Sequence, residues 1–186
     1  MALPLVLGSP VVILEKKLRG VSARALGRFA GRAQRAAGLR GRVSILVTGS
    51  AQLRRLNRRF RRADQATDVL SFPADGKGAQ ASRPHLQMAG DIAISAEVAM
   101  ENARRFGHSA AAEVKILILH GLLHLAGLDH ERDRGQMSRR EERLRRKLGL
   151  PPALIARNLL RASRPHPHSG GRKGKVRGRV ARVHTA

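Results

Sequence analysis

Short β-branched runs alternate along this chain with longer stretches in which apolar side chains recur every three or four residues. Val11-Val12-Ile13-Leu14 and Val43-Ser44-Ile45-Leu46-Val47 have the composition of strands. Between them, residues 21–39 place Leu26, Phe29, Ala30 and Ala33 on one helical face, with arginines between them. Ser50 is positioned to cap a second helix over 51–60, with Leu53 and Leu56 turned inward. Residues 61–73 lead into a third strand closed by Pro73, and 74–88, rich in Gly, Ala, Ser, Lys and Pro, predict a surface loop. Asp91–Ile94 predicts a fourth strand, and Ser95 the cap of a helix over 96–106. Ala110–Ala126 reads as the most apolar helix. Met137–Leu148 reads as a charged one, with Ser138 and Glu141 at capping-box spacing, and Pro151–Arg161 predicts one more. There is no internal repeat. The order of elements predicts an α/β (α+β) fold: a small mixed sheet of about four strands packed by helices, with helix 110–126 central.

The chain's 186 residues, 42% of them hydrophobic, suffice for one core. Beyond Arg161 the composition turns acid-free and Gly/Pro-rich, so residues 1–161 are expected to form the domain and 162–186 a basic, disordered tail. Lys and Arg number 37 against 13 Asp and Glu, a net charge of +24 that calls for a polyanionic partner, nucleic acid first. Most of that surplus lies ahead of the tail. Trp and Tyr are absent and the four Phe are Phe29, Phe60, Phe72 and Phe106, which argues against an aromatic base-stacking platform and for contacts to phosphates. Without Cys there is no disulfide, thiolate metal site or Cys nucleophile. The apolar N-terminus lacks a positive n-region and is broken by Pro4 and Pro10, so it reads as a lead-in to the first strand and not as a signal peptide. No stretch is long enough to span a bilayer, and a cytoplasmic protein without membrane partners is expected.

The densest chemistry lies in His120-Gly-Leu-Leu-His124-Leu-Ala-Gly127-Leu-Asp129-His130. Four residues of α-helix advance a side chain by roughly 400°, so His120 and His124 share a face. A continuous helix would turn His130 away from them. Gly127 stands where the helix can end in a left-handed cap and let the chain fold back. Three imidazoles with an open fourth position suit a catalytic zinc. Single histidines on apolar helices are usually core residues, but three at this spacing favour a metal. His85 and His108 read as surface residues, and Asp129 either orients an imidazole or shapes the turn. Metzincin proteases share the spacing but carry Glu directly after the first His, as the base that activates water; here that position is Gly121, which argues against a peptidase. Met137 can lie beneath a metal, though packing is the commoner role for such a residue.

These residues also resemble a known family. HGLLHLAGLDH is similar to the signature of the YbeY family, metal-dependent endoribonucleases and ribosomal RNA maturation factors of bacteria. Leu56–Pro73 (LNRRFRRADQATDVLSFP) and Gly90-Asp91-Ile92 with Ser95 match two further family segments, so the likeness covers about residues 43–150. It implies one zinc ion held by His120, His124 and His130, a groove for single-stranded RNA beside it, and a functional role for Arg61, which follows the aromatic Phe60. An arginine beside a metal can hold a phosphate and stabilise a pentacovalent transition state. The implied reaction is hydrolysis of RNA phosphodiesters by a zinc-activated water, with Asp68, Asp91 and Asp129 as candidate general bases. The implied role is maturation of the 3′ end of small-subunit (16S) rRNA and ribosome quality control, with rRNA and the small ribosomal subunit as partners and no DNA substrate. Two alternatives are a non-catalytic, metal-stabilised ribosome-assembly factor and a zinc hydrolase of peptides or small molecules. The chain is more basic than is typical of that family, and its tail has no counterpart in the family pattern.

Overall fold

In the computed structural model the described residues are 9–74, 88–130 and 133–151. They form β1 (Val11–Leu14), α1 (Ala23–Ala37), β2 (Arg42–Thr48), α2 (Ser50–Arg61), β3 (Val69–Pro73), β4 (Met88–Ser95), α3 (Ala96–Phe106), α4 (Ala110–Leu125) and α5 (Gln136–Leu148). The four strands make one mixed sheet in the order β1-β2-β4-β3, with β1, β2 and β4 parallel and β3 antiparallel to β4. The mixed four-stranded sheet and the central helix are as expected. The helix expected over 151–161 and the tail lie outside the described residues.

Alternation along the strands divides the sheet into two unequal faces. Val43, Ile45, Val47, Ile92 and Ile94 join the main core with Leu26, Phe29, Ala30 and Ala33 of α1 and the apolar length of α4. Helix α4 is buried almost all round, from Ile116 to Leu119 and again at Leu122 and Leu123, as befits a helix wrapped by other elements. On the opposite face α2 is the only helix among the described residues: Leu53, with Leu56, packs over Leu70, Phe72 and Ala93. Among the described residues nothing else covers that face, and Val11 and Ile13 are exposed on it.

Three expectations about element ends are corrected. Strand β4 runs from Met88 to Ser95, longer than Asp91–Ile94, because it pairs with β2 along its length on one side and with β3 on the other. Ser50 does not cap α2: Gly49 does, Ser50 is the first helical residue, and its N–H donates to Oε2 of Glu97 on α3 at 2.8 Å. The capping box at Ser138 and Glu141 does not form either. Helix α5 starts at Gln136 behind Gly135, and the Asp133 carboxylate accepts from the N–H groups of Gly135 and Met137. Ser95 and Ser109 cap as their residue type suggests, accepting from the N–H groups of Val98 and Ala112.

Candidate metal centre and adjoining groove

Helix α4 delivers two of the three histidines and its end delivers the third. His120 and His124 stack edge to face at 4.7 Å between ring centroids, one turn apart. After Ala126 the helix closes with two carbonyls answered: Gly127 N–H donates to His124 O and Leu128 N–H to Leu123 O. Gly127 takes φ +85°, a conformation that costs glycine little and other residues more. The reversal returns His130 to 5.3 Å from both other rings. One ring nitrogen of each imidazole lies within 4.8 Å of the others, so the three sequence-predicted ligands converge and can hold a metal ion.

The nitrogens are set up for this. His120 is buried, and its Nδ1 lies 3.0 Å from Oε1 of Glu141, a residue only 1% exposed on α5. With a carboxylate accepting at Nδ1, the proton sits there and Nε2 keeps its lone pair. That Nε2 faces the Nε2 of His124 at 3.1 Å. His124 is held at about 4, below its usual 6.5, by burial first and then by the like charges of His120 and His130, so it is neutral at pH 7. Three imidazoles whose ring nitrogens converge fit a divalent cation of zinc's type, and also nickel, copper or iron. Glu141 was read in the sequence as a capping residue. The missed signal is its place four residues after Met137 and three before Leu144, on the buried face of an otherwise charged helix. Met137 itself belongs to the main core.

Gly121 explains why no acid follows His120. A Cβ built there would lie 2.9 Å from Cδ1 and Cγ2 of Ile92 and 3.1 Å from Oγ of Ser71. Helix α4 lies directly against β3 and β4 at this point, and Ser71 Oγ donates to the Gly121 carbonyl at 3.4 Å. There is no room for the glutamate of a metzincin.

Arg61 ends α2 on the other face of the sheet. Asn57, buried, donates from Nδ2 to Gln65 O, and Arg54 pairs with Asp64, which together tie down the chain after the helix. Arg61 is exposed, and its charge still reaches His124, where it disfavours protonation. It lines an open groove of about 750 Å³ with Ile13, Leu56, Phe60, Phe72 and Asp91. Of the candidate bases, Asp91 is exposed in this groove, whereas Asp68 is half-buried and accepts from Val69 N–H. Asp129 is half-buried, and its charge favours protonated His124. His108 is not the surface residue expected: its Nε2 lies 2.6 Å from Oε2 of the fully buried Glu113 and its ring stacks on Phe106. His85 lies outside the described residues. No helix among the described residues is long and apolar enough to cross a membrane.

Residues 12–149 match the family described as Endoribonuclease YbeY. A protein of that name from Koribacter versatilis is 57% identical over 149 residues, covering 79% of this chain and 91% of its own length. Its namesake from Solibacter usitatus is 51% identical, covering 72% and 84%. A solution structure of a Thermotoga maritima protein has the same fold at 21% identity, with a TM-score of 0.51 over 88% of this chain and 99% of that one. With the converged histidines and the family match in agreement, the chain belongs to the YbeY endoribonuclease family.

Proposed function

We propose that this protein is a single-strand-specific, metal-dependent endoribonuclease, with His120, His124 and His130 holding one zinc ion and Arg61 binding the scissile phosphate. The carrying observation is the convergence of three imidazoles, one of them oriented by Glu141, together with a groove-lining arginine whose charge reaches His124. A zinc bound there would supply Lewis acidity and an activated water. The chain's own part is to keep His124 neutral, which burial does, to aim His120, which Glu141 does, and to hold the phosphate with a guanidinium fork. Arg58, Arg59 and Arg61 lie in the last turn of α2, where the helix dipole favours cations, and they raise the local concentration of polyanion. The strongly positive surface favours RNA over acidic protein partners, and the family match favours rRNA of the small ribosomal subunit, 3′-end maturation of 16S rRNA and a cytoplasmic setting. In this reading residues 1–161 are the nuclease domain and 162–186 a basic tail that adds salt-sensitive affinity without sequence preference.

The test is cleavage of an end-labelled single-stranded RNA by the purified protein beside its His124→Ala variant, with and without added Zn2+. Cleavage by the wild type alone is expected. Equal cleavage by both would mark a contaminating nuclease. A folded wild-type protein that binds but never cuts free RNA or ribosome-bound rRNA would favour the assembly-factor reading instead.

A further inference from the structure

Phe60 is 58% exposed although it is among the largest apolar side chains in the protein. It projects from the last turn of α2, next to Arg61, into the groove on the open face of the sheet. Phe72 of β3 packs edge-on against it at 5.1 Å between centroids and 63° between planes, which fixes the ring without covering it. The Arg59 guanidinium lies over the ring at 5.3 Å. A solvent-facing aromatic held by a second aromatic, flanked by cations on both sides in sequence, is the composition of a surface that stacks bases and tracks a phosphate backbone.

The strand register adds a polar group to this surface. Phe72 pairs directly with Asp91 across β3 and β4, so their Cβ atoms stand about 5 Å apart on the same face. The Asp91 side chain is exposed, lines the groove and has no hydrogen-bond or ion-pair partner among the described residues. An unpaired carboxylate repels phosphate. In so basic a chain its place is against something that donates N–H groups, such as the amino edge of adenine, cytosine or guanine.

We propose that Phe60 and Phe72 form a nucleobase-stacking subsite beside the Arg61 phosphate position, with Asp91 accepting from the exocyclic amine of the stacked base. The inference rests on the endoribonuclease reading and specifies which part of the RNA the groove takes: one flanking base and not only the backbone. The scarcity of aromatics in the sequence argues against an extended platform, but a single subsite needs only this pair.

The chain has no Trp or Tyr, so Phe60→Trp introduces a unique fluorophore at the subsite. The full-length variant is titrated with oligoadenylate and with an abasic ribose-phosphate oligomer of the same length, reading tryptophan emission and the anisotropy of end-labelled oligomer together. Both oligomers are expected to bind through their phosphates, with strong quenching by oligoadenylate and little by the abasic chain. In cleavage assays Phe60→Leu, which keeps an apolar side chain and removes the π face, is expected to raise KM about tenfold with kcat little changed, the order expected for one lost stack. Binding of oligoadenylate without quenching, or equal quenching by the abasic oligomer, would overturn the subsite while leaving the endoribonuclease reading intact. Absence of RNA binding in both variant and wild type would overturn the two together, whereas loss of wild-type cleavage against the His124→Ala control would fall on the parent reading alone.

Discussion

Replacing Gly121 by alanine sets two calculable effects against each other. In a helix interior alanine is favoured over glycine by about 1 kcal/mol, which alone would stabilise the protein. Here the added methyl would meet Cδ1 and Cγ2 of Ile92 at 2.9 Å and Ser71 Oγ at 3.1 Å. Ile92 is 1% exposed on the central strand β4 and has nowhere to turn. Overpacking of a tight core costs about 1–3 kcal/mol. The expected net effect is a loss of about 1 kcal/mol, or a few degrees in Tm for a domain of this size. Urea unfolding followed by circular dichroism measures it. The decisive comparison is the Ile92→Ala background, where the two nearest obstructing atoms are gone, only Ser71 Oγ remains, and Gly121→Ala is expected to cost clearly less than in the wild type. Stabilisation by Gly121→Ala in the wild-type background, or the same loss in both backgrounds, would refute the close approach of α4 to β4.

Three more outcomes follow from the same geometry. Glu141→Gln should fold and keep a hydrogen bond to His120, but hold zinc about 10- to 100-fold more weakly by calorimetric titration, because the acceptor that polarises the imidazole loses its charge. His108→Leu, which takes the imidazole away from buried Glu113, should lower stability in urea by on the order of 1–3 kcal/mol, and restored stability in His108→Leu/Glu113→Gln would identify the Glu113 charge as the cause. Glu142 accepts from Arg145 and Arg146, which hold it at about 2, below its usual 4.5. Its folded-state value is depressed, so its contribution is present above pH 4.5 and lost as the pH falls toward 2, and the stability gap between wild type and Glu142→Gln should narrow over that window.

Local rules legible in the sequence account for most of the fold. The β-branched runs marked the strands, and the spacing of Leu26, Phe29, Ala30 and Ala33 marked the buried face of α1. The sequence also placed the histidine triad, because four-residue spacing and a helix-ending glycine are local facts. What it hid were partners distant along the chain. Glu97 completes the start of α2 from another helix, which no pattern around Ser50 can reveal. Glu141 fits a capping box as well as it fits a buried partner for His120, and only the packing of α5 against α4 decides between them. His108 looks exposed until Glu113, five residues on, is seen to be fully buried. Phe60 follows the opposite course: a large apolar residue stands in solvent, because α2 covers only part of its face of the sheet.

The central claim is that His120, His124 and His130 form one metal site, and metal stoichiometry tests it most directly. Metal-stripped wild-type protein and its His124→Ala variant, each shown to be folded by circular dichroism, are titrated with Zn2+ in a calorimeter. The account predicts one tight site in the wild type, accompanied by a rise in Tm on loading, and its loss in the variant. Equal tight binding by both proteins would place the ion elsewhere, the tail histidines included, and would contradict the assignment of the triad.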